Sequence, residues 1–151
     1  MEIKKVVVIG SGTMGSGIAA QLCNANIPVT LLDLKTEISK KARDRIHKSR
    51  PPLLLDKSKI NNIKVGNILD DFAEVNEADW VVEAVVERID IKHNIYEKIF
   101  KERKAGSIIS SNTSSIPLKV LSEKLFLFKP TLFTPEYFRG SPIAFIYGGT
   151  S

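Results

Sequence analysis

Three glycines in Gly10-Ser11-Gly12-Thr13-Met14-Gly15 carry the G-x-G-x-x-G spacing that lets a backbone approach a pyrophosphate. Gly10 suits a tight turn out of a strand, Gly12 leaves room for phosphate because it has no Cβ, and Gly15 allows close helix packing. Thr13 and Met14 share that turn, at a helix start whose free N–H groups and dipole favour anions. Asp33 follows at close to the roughly 20-residue offset at which a carboxylate bonds a ribose 2′-hydroxyl. A carboxylate there repels a 2′-phosphate, so NAD is expected over NADP. Lys35 is the nearby base that would soften the preference, and an ordinary strand-end turn is the alternative role for Asp33. A second polar group, Ser111-Asn112-Thr113-Ser114-Ser115, offers uncharged donors and acceptors that suit a ribose, a nicotinamide amide or a substrate hydroxyl. It reads equally well as a turn capping the helix that Pro117 opens.

These groups must be held by regular elements. Lys5 to Ile9 is a β-branched run of the kind buried in parallel sheets. The residues after Gly15 read as a helix with Ile18, Ala19 and Leu22 on one face. Pro28–Asp33, Ile63–Ile68, Trp80–Val85 and Ser107–Asn112 read as further strands. Thr36–Arg50 is a basic helix with Ile38, Ala42 and Ile46 on its apolar stripe and Thr36 as N-cap, stopped by Pro51-Pro52. The apolar Leu53-Leu54-Leu55 behind it must pack somewhere. Leu69–Ala78 reads as a short helix, and Ile89–Arg103 as an amphipathic one with Ile91, Ile95 and Ile99 aligned. Strands alternating with helices predict an α/β fold with a doubly wound parallel sheet. Glu83 to Arg88 and Ser111 to Ser115 leave the carboxyl ends of two strands and so face the same crevice as the glycine turn.

Composition narrows the partners. A chain of 151 residues with 43% hydrophobic and 26% charged residues fits one domain with a core. The single cysteine, Cys23, excludes an internal disulfide and reads as a small core residue. No apolar run reaches the ~18 residues of a membrane span, and the start shows no leader pattern, so a cytoplasmic protein without membrane contact is expected. The net charge of +5 favours anionic partners. The basic residues are not interleaved with aromatics, so no nucleic acid is expected. No metal is expected either.

The glycine turn, Asp33, Glu83-Ala84-Val85-Val86-Glu87-Arg88 and Ser111-Asn112-Thr113-Ser114-Ser115 stand in the order and spacing of the 3-hydroxyacyl-CoA dehydrogenase family. Over about residues 3 to 125 the chain resembles that family's N-terminal NAD-binding domain, of Rossmann type. Lys48-Ser49-Arg50-Pro51-Pro52 and Trp80-Val81-Val82-Glu83-Ala84 resemble the branch in which the dehydrogenase is part of a long β-oxidation protein. The resemblance implies oxidation of a 3-hydroxyacyl-CoA to a 3-ketoacyl-CoA with NAD. It implies cofactor binding by Gly10, Gly12, Thr13, Met14, Gly15, Asp33, Glu87, Lys92 and Ser114. It also implies substrate binding by Ser49, Asn112 and Ser114, with Ser114 the catalytic residue that reaches both the nicotinamide and the substrate hydroxyl.

The family's general base is a histidine in a Thr-His-Phe-Phe-Asn-Pro type of segment. Here Pro130-Thr131-Leu132-Phe133-Thr134-Pro135 puts leucine at that place, and Glu136 lies too near it to match the orienting glutamate. His47 and His93 read as exposed helix residues. The family's helical C-terminal domain is not in the sequence. The chain is therefore expected to divide into a cofactor domain, 1–125, and a diverged or truncated tail, 126–151, with activity weak or absent alone. A homo-oligomer or a separate C-terminal domain would complete it. A non-catalytic NAD-binding or scaffold protein is the alternative; a methyltransferase or flavoprotein would leave the Asn-Thr-Ser-Ser match to chance.

Overall fold

The structure, a computed structural model, describes residues 2–117 with Val120 and Leu121. Five strands form one parallel sheet: β1 (Val6–Ile9), β2 (Val29–Asp33), β3 (Ile63–Asn67), β4 (Trp80–Glu83) and β5 (Ile108–Ser111). Their spatial order is β3-β2-β1-β4-β5. β1 lies at the centre, with Val6 level with Val29 on one side and Trp80 on the other. Chain order reverses between β1 and β4, which opens a crevice above their carboxyl ends.

β1 is apolar throughout because it serves two cores. Val6 and Val8 pack with Ala19, Leu22, Cys23, Ala42 and Ile46. These come from α1 (Thr13–Asn24) and α2 (Thr36–Lys48). Val7 and Ile9 point the other way, into a core with Ile95, Tyr96 and Ile99 of α3 (Ile89–Glu102). Period-2 alternation thus assigns successive residues to opposite layers.

Several expectations change in detail. Helix α1 begins at Thr13, so the last three positions of the glycine motif are already helical. Lys35 is the N-cap of α2, and Thr36 is its first helical residue; the Thr36 hydroxyl instead accepts from Asn67. Ala42 and Ile46 are buried, but Ile38 is exposed because its turn of α2 faces the crevice. Of the leucine triplet, Leu54 enters the core, Leu53 packs against it, and Leu55 projects into solvent. The short helix expected over 69–78 is a 3-10 turn at Phe72–Glu77. β4 ends at Glu83, two residues early, because Val85 turns its N–H onto the Glu83 carboxylate. His93 is not an exposed helix residue: it is buried, with Nε2 3.3 Å from the Val120 carbonyl oxygen. Most of the helix expected after Pro117, the phenylalanine-rich tail, Leu132 and Glu136 lie outside the described residues.

Cys23 is a core residue, as its place on α1 predicts, and burial pushes its thiol up to about 11. The thiolate is the reactive form. A thiol reagent at pH 8 is therefore expected to leave native Cys23 unmodified and to label it rapidly in urea. Fast native labelling would contradict the burial. Among the described residues, no helix is long and apolar enough to cross a membrane, and no cluster of three or more His, Cys, Asp or Glu side chains could hold a metal ion.

Candidate cofactor site

The glycine turn is built by close approach. Gly10 has φ +101°, and a Cβ there would collide with the Ala84 carbonyl. A Cβ on Gly15 would strike the Gly10 carbonyl. Gly12 differs: nothing lies within 4 Å of its Cβ direction, so its flank is open to a ligand. An anion can therefore reach the start of α1, whose first N–H groups lack helical partners.

Ser11 locks the turn. Its backbone N–H and hydroxyl both donate to Asp33 Oδ2, at 2.7 and 2.6 Å. Its carbonyl accepts from the Ser16 hydroxyl and from Arg45 Nη2 of α2, both at 3.0 Å. Asp33 Oδ1 accepts from the Leu34 N–H at 2.7 Å. Asp33 thus braces the phosphate-binding turn and remains on the cavity wall, where its spare lone pairs can accept from a ribose.

A cavity of about 730 Å³ opens above the carboxyl ends of β1, β2, β4 and β5. Gly10, Gly12, Thr13 and Met14 line it from the glycine turn; Asp33, Ile38 and Arg45 from β2 and α2; and Glu87, Asn112 and Ser114 from the loops after β4 and β5. The size is within the range of small-molecule and cofactor sites. Asn112 Oδ1 is buried with no hydrogen-bond partner among the described residues, an acceptor that a ligand amide would satisfy. The open flank of Gly12 and this orphaned carbonyl fit a dinucleotide with a carboxamide at one end.

Three residues assigned from sequence do not line this cavity. Gly15 sits beneath the turn. Lys92 has no exposed surface: Nζ is 2.7 Å from Glu83 Oε1 and 3.2 Å from Glu87 Oε2. It is buried because Glu83, itself wholly buried at the end of β4, requires a cation. Ser49 follows α2 in a separate basic pocket of about 350 Å³ with His47, Lys48, Arg50, Pro52 and Lys57. Its hydroxyl donates to the Ile46 carbonyl and accepts from the Leu53 N–H, each at 2.9 Å.

Glu87 holds the loop after β5. Its Oε1 accepts from the Thr113 hydroxyl, from the Ser114 and Ser115 N–H groups at 3.0 and 3.1 Å, and from the Ser115 hydroxyl at 3.1 Å. Burial alone would raise this carboxyl, but the Thr113 hydroxyl, the Ser115 N–H and the Lys92 ammonium together pull it down to about 2. A carboxyl lowered from its ordinary 4.5 stabilises the fold fully above that value, and the contribution is lost as pH falls through 2. The stability gap between the protein and its Glu87→Gln variant is therefore expected to shrink between pH 4.5 and 2 in urea titrations. A gap constant over that window would overturn the assignment.

Sequence reasoning passed over four residues. Ser11 occupies a variable position of the glycine motif. Arg45 looked like one more surface base of α2. Glu83 and Tyr96 were given no role, although a carboxylate ending an apolar strand signals a buried partner, and Lys92 and Tyr96 stand i, i+4 on α3. The Tyr96 hydroxyl donates to Glu83 Oε2 at 3.0 Å; burial, then the Glu83 carboxylate, push its ionisation far up.

Comparison with known proteins agrees with this geometry. Residues 5–130 match the family model described as "3-hydroxyacyl-CoA dehydrogenase, NAD binding domain". A probable 3-hydroxyacyl-CoA dehydrogenase of Deinococcus radiodurans is 44% identical over 130 residues, covering 82% of this chain and 38% of that protein. The peroxisomal fatty acid beta-oxidation multifunctional protein AIM1 of Arabidopsis thaliana is 40% identical over 128 residues, 81% of this chain and 18% of that one. The crystal structure of (S)-3-hydroxybutyryl-CoA dehydrogenase PaaH1 from Ralstonia eutropha superposes with a TM-score of 0.67 at 29% identity, over 80% of this chain and 44% of that chain. The chain thus spans less than half the length of each of these relatives. With its glycine turn, its parallel sheet and its match over residues 5–130, the chain belongs to the 3-hydroxyacyl-CoA dehydrogenase family, of which it carries the NAD-binding domain.

Proposed function

We propose that the chain binds NAD in the cavity at the carboxyl ends of the strands and serves as the cofactor half of an enzyme that oxidises 3-hydroxyacyl-CoA to 3-ketoacyl-CoA in fatty acid β-oxidation. The observation that carries the reading is that the open flank of Gly12, Asp33 and Asn112 all border one cavity, and that the Asn112 side-chain carbonyl has no hydrogen-bond partner among the described residues. In this reading the pyrophosphate lies over Gly12, Thr13 and Met14, with Gly10 and Gly15 shaping the turn. Asp33 takes the adenosine ribose. Asn112 meets the nicotinamide end, and Ser114 meets both that end and the substrate hydroxyl. Glu87 and Lys92 act from the wall, Lys92 through Glu87. NAD, when bound, supplies the hydride acceptor. The basic pocket around Ser49 suits the phosphates of coenzyme A, since His47, Lys48, Arg50 and Lys57 surround it.

Residues 1–125 form the cofactor unit in this proposal, with 126–151 apart from it. Turnover by this chain alone is expected to be weak, because leucine stands where the family places its histidine and cannot take a proton. Losing a positioned base typically costs about 10²–10⁴-fold. A C-terminal domain or a second copy of the chain would complete the substrate cleft.

Calorimetric titration with NADH, with NADPH as control, tests the cofactor assignment. Selective binding of NADH is expected; no binding, or equal binding of both, would overturn it. Reduction of acetoacetyl-CoA by NADH then separates a residual dehydrogenase from a non-catalytic NAD-binding protein.

A further inference from the structure

A fully buried carboxylate and a fully buried ammonium are costly to desolvate, and well-packed apolar residues of similar size often stabilise a fold as well or better. Glu83 and Lys92 nevertheless occupy the heart of the contact between β4, β5 and α3. Glu83 is saturated: Oε1 accepts from Lys92 and from the Val85 N–H at 2.9 Å, and Oε2 from Tyr96 and from the Ser111 hydroxyl at 2.6 Å. Its position is thus set from β4, β5 and α3 at once. Lys92 is not saturated by Glu83. It extends a second contact out of the core to Glu87 Oε2, and the other oxygen of Glu87 collects every bond from Thr113, Ser114 and Ser115.

We propose that Glu83 and Lys92 are positioning residues for the cofactor-facing loop: Glu83 fixes Lys92, Lys92 fixes Glu87, and Glu87 holds the 113–115 turn that presents Ser114 to the cavity. The two oxygens of Glu87 divide the task, one taking the cation from the core and the other the loop. The chain of contacts runs unbroken from the sheet to the cavity rim. This inference rests on the NAD reading above for its binding readout, but the order of the loop can be measured without any nucleotide.

The test compares the double variant Glu83→Gln/Lys92→Met with the unmodified chain. The substitutions remove both charges and keep the side-chain shapes, so no lone buried charge remains. A purely structural pair predicts a folded double variant that binds NADH as the parent does. A positioning pair predicts a folded variant with NADH affinity lowered at least about tenfold and amide hydrogen exchange at Ser114 and Ser115 accelerated by a similar factor, while the β1 and β2 amides stay protected. Tyr96→Phe, which loosens Glu83 by one bond and leaves every charge in place, decides the matter if the double variant does not fold. An increase of about threefold in Ser114 and Ser115 exchange is expected. Parental exchange at those two amides in a folded variant overturns the proposal. Failure of the parent to bind NADH would overturn the cofactor reading instead, and the exchange rates would still judge the relay.

Discussion

Lys92→Met is expected to lower the unfolding free energy by about 3–5 kcal/mol, the usual cost of removing one partner of a buried ion pair. The substitution leaves Glu83 wholly buried with no cation in contact, holding only the Tyr96, Ser111 and Val85 donors. Those three neutral bonds do not offset the desolvation of a carboxylate. Against a typical stability of about 5–15 kcal/mol, such a loss moves a urea midpoint far down and can leave the chain partly unfolded. The double variant Glu83→Gln/Lys92→Met should recover most of the loss, because the lone charge disappears with its partner. Urea denaturation of the three proteins provides the measurement. A single-variant loss below about 1 kcal/mol, the range of exposed pairs, would mean that Glu83 is not isolated from water.

Asp33→Ala should produce the largest change in ligand binding. Two losses combine. The ribose hydroxyls lose a charged acceptor, worth roughly 1.5–3 kcal/mol, or about 10- to 100-fold in NADH affinity. The glycine turn also loses its brace, since the Ser11 N–H and hydroxyl both donate to Asp33 and Ser11 is 1% exposed. NADPH escapes the first loss, because its 2′-phosphate no longer faces a carboxylate, and Arg45 remains on the same cavity wall. The NADH-to-NADPH affinity ratio is expected to collapse toward one. Asp33→Asn separates the two effects by keeping an acceptor for Ser11 while removing the charge. Calorimetry with both nucleotides reads the ratio; a ratio unchanged in Asp33→Ala would sink the ribose assignment.

Local pattern announced much of this domain. The β-branched run at 6–9 favoured a buried strand, and the apolar stripes of α1, α2 and α3 matched the layers that cover it. The glycine spacing carried more information than a composition count, because each glycine answers a different steric demand, and the collisions that a Cβ would cause at Gly10 and Gly15 are those demands. Where pattern misled, a longer-range partner was the cause. Ile38 sits on the apolar stripe of α2, yet that turn of the helix faces a ligand crevice. His93 looked like a surface residue of an amphipathic helix until the chain returned at Val120.

The candidate site was legible as a set of loops, since residues at the carboxyl ends of parallel strands must share a crevice once the sheet order is known. Its internal wiring was not. No spacing rule relates Ser11 to Asp33, Glu83 to Lys92 and Tyr96, or Glu87 to Thr113, because these pairs come together only when separate strands and helices stack.

Fold class and the nucleotide-binding character of the domain were therefore legible in the sequence alone, through periodicity and the steric requirements of a phosphate-binding turn, and the family through the resemblance of its motifs in order and spacing. Tertiary structure alone decided that Lys92 is a buried clamp with no surface in the cavity, that Asp33 braces the turn as well as facing it, and that Ser49 belongs to a separate basic pocket. The physical reason is that burial and charge pairing depend on which elements pack together, and a one-dimensional pattern records which face of an element is apolar but not which polar groups meet beneath it.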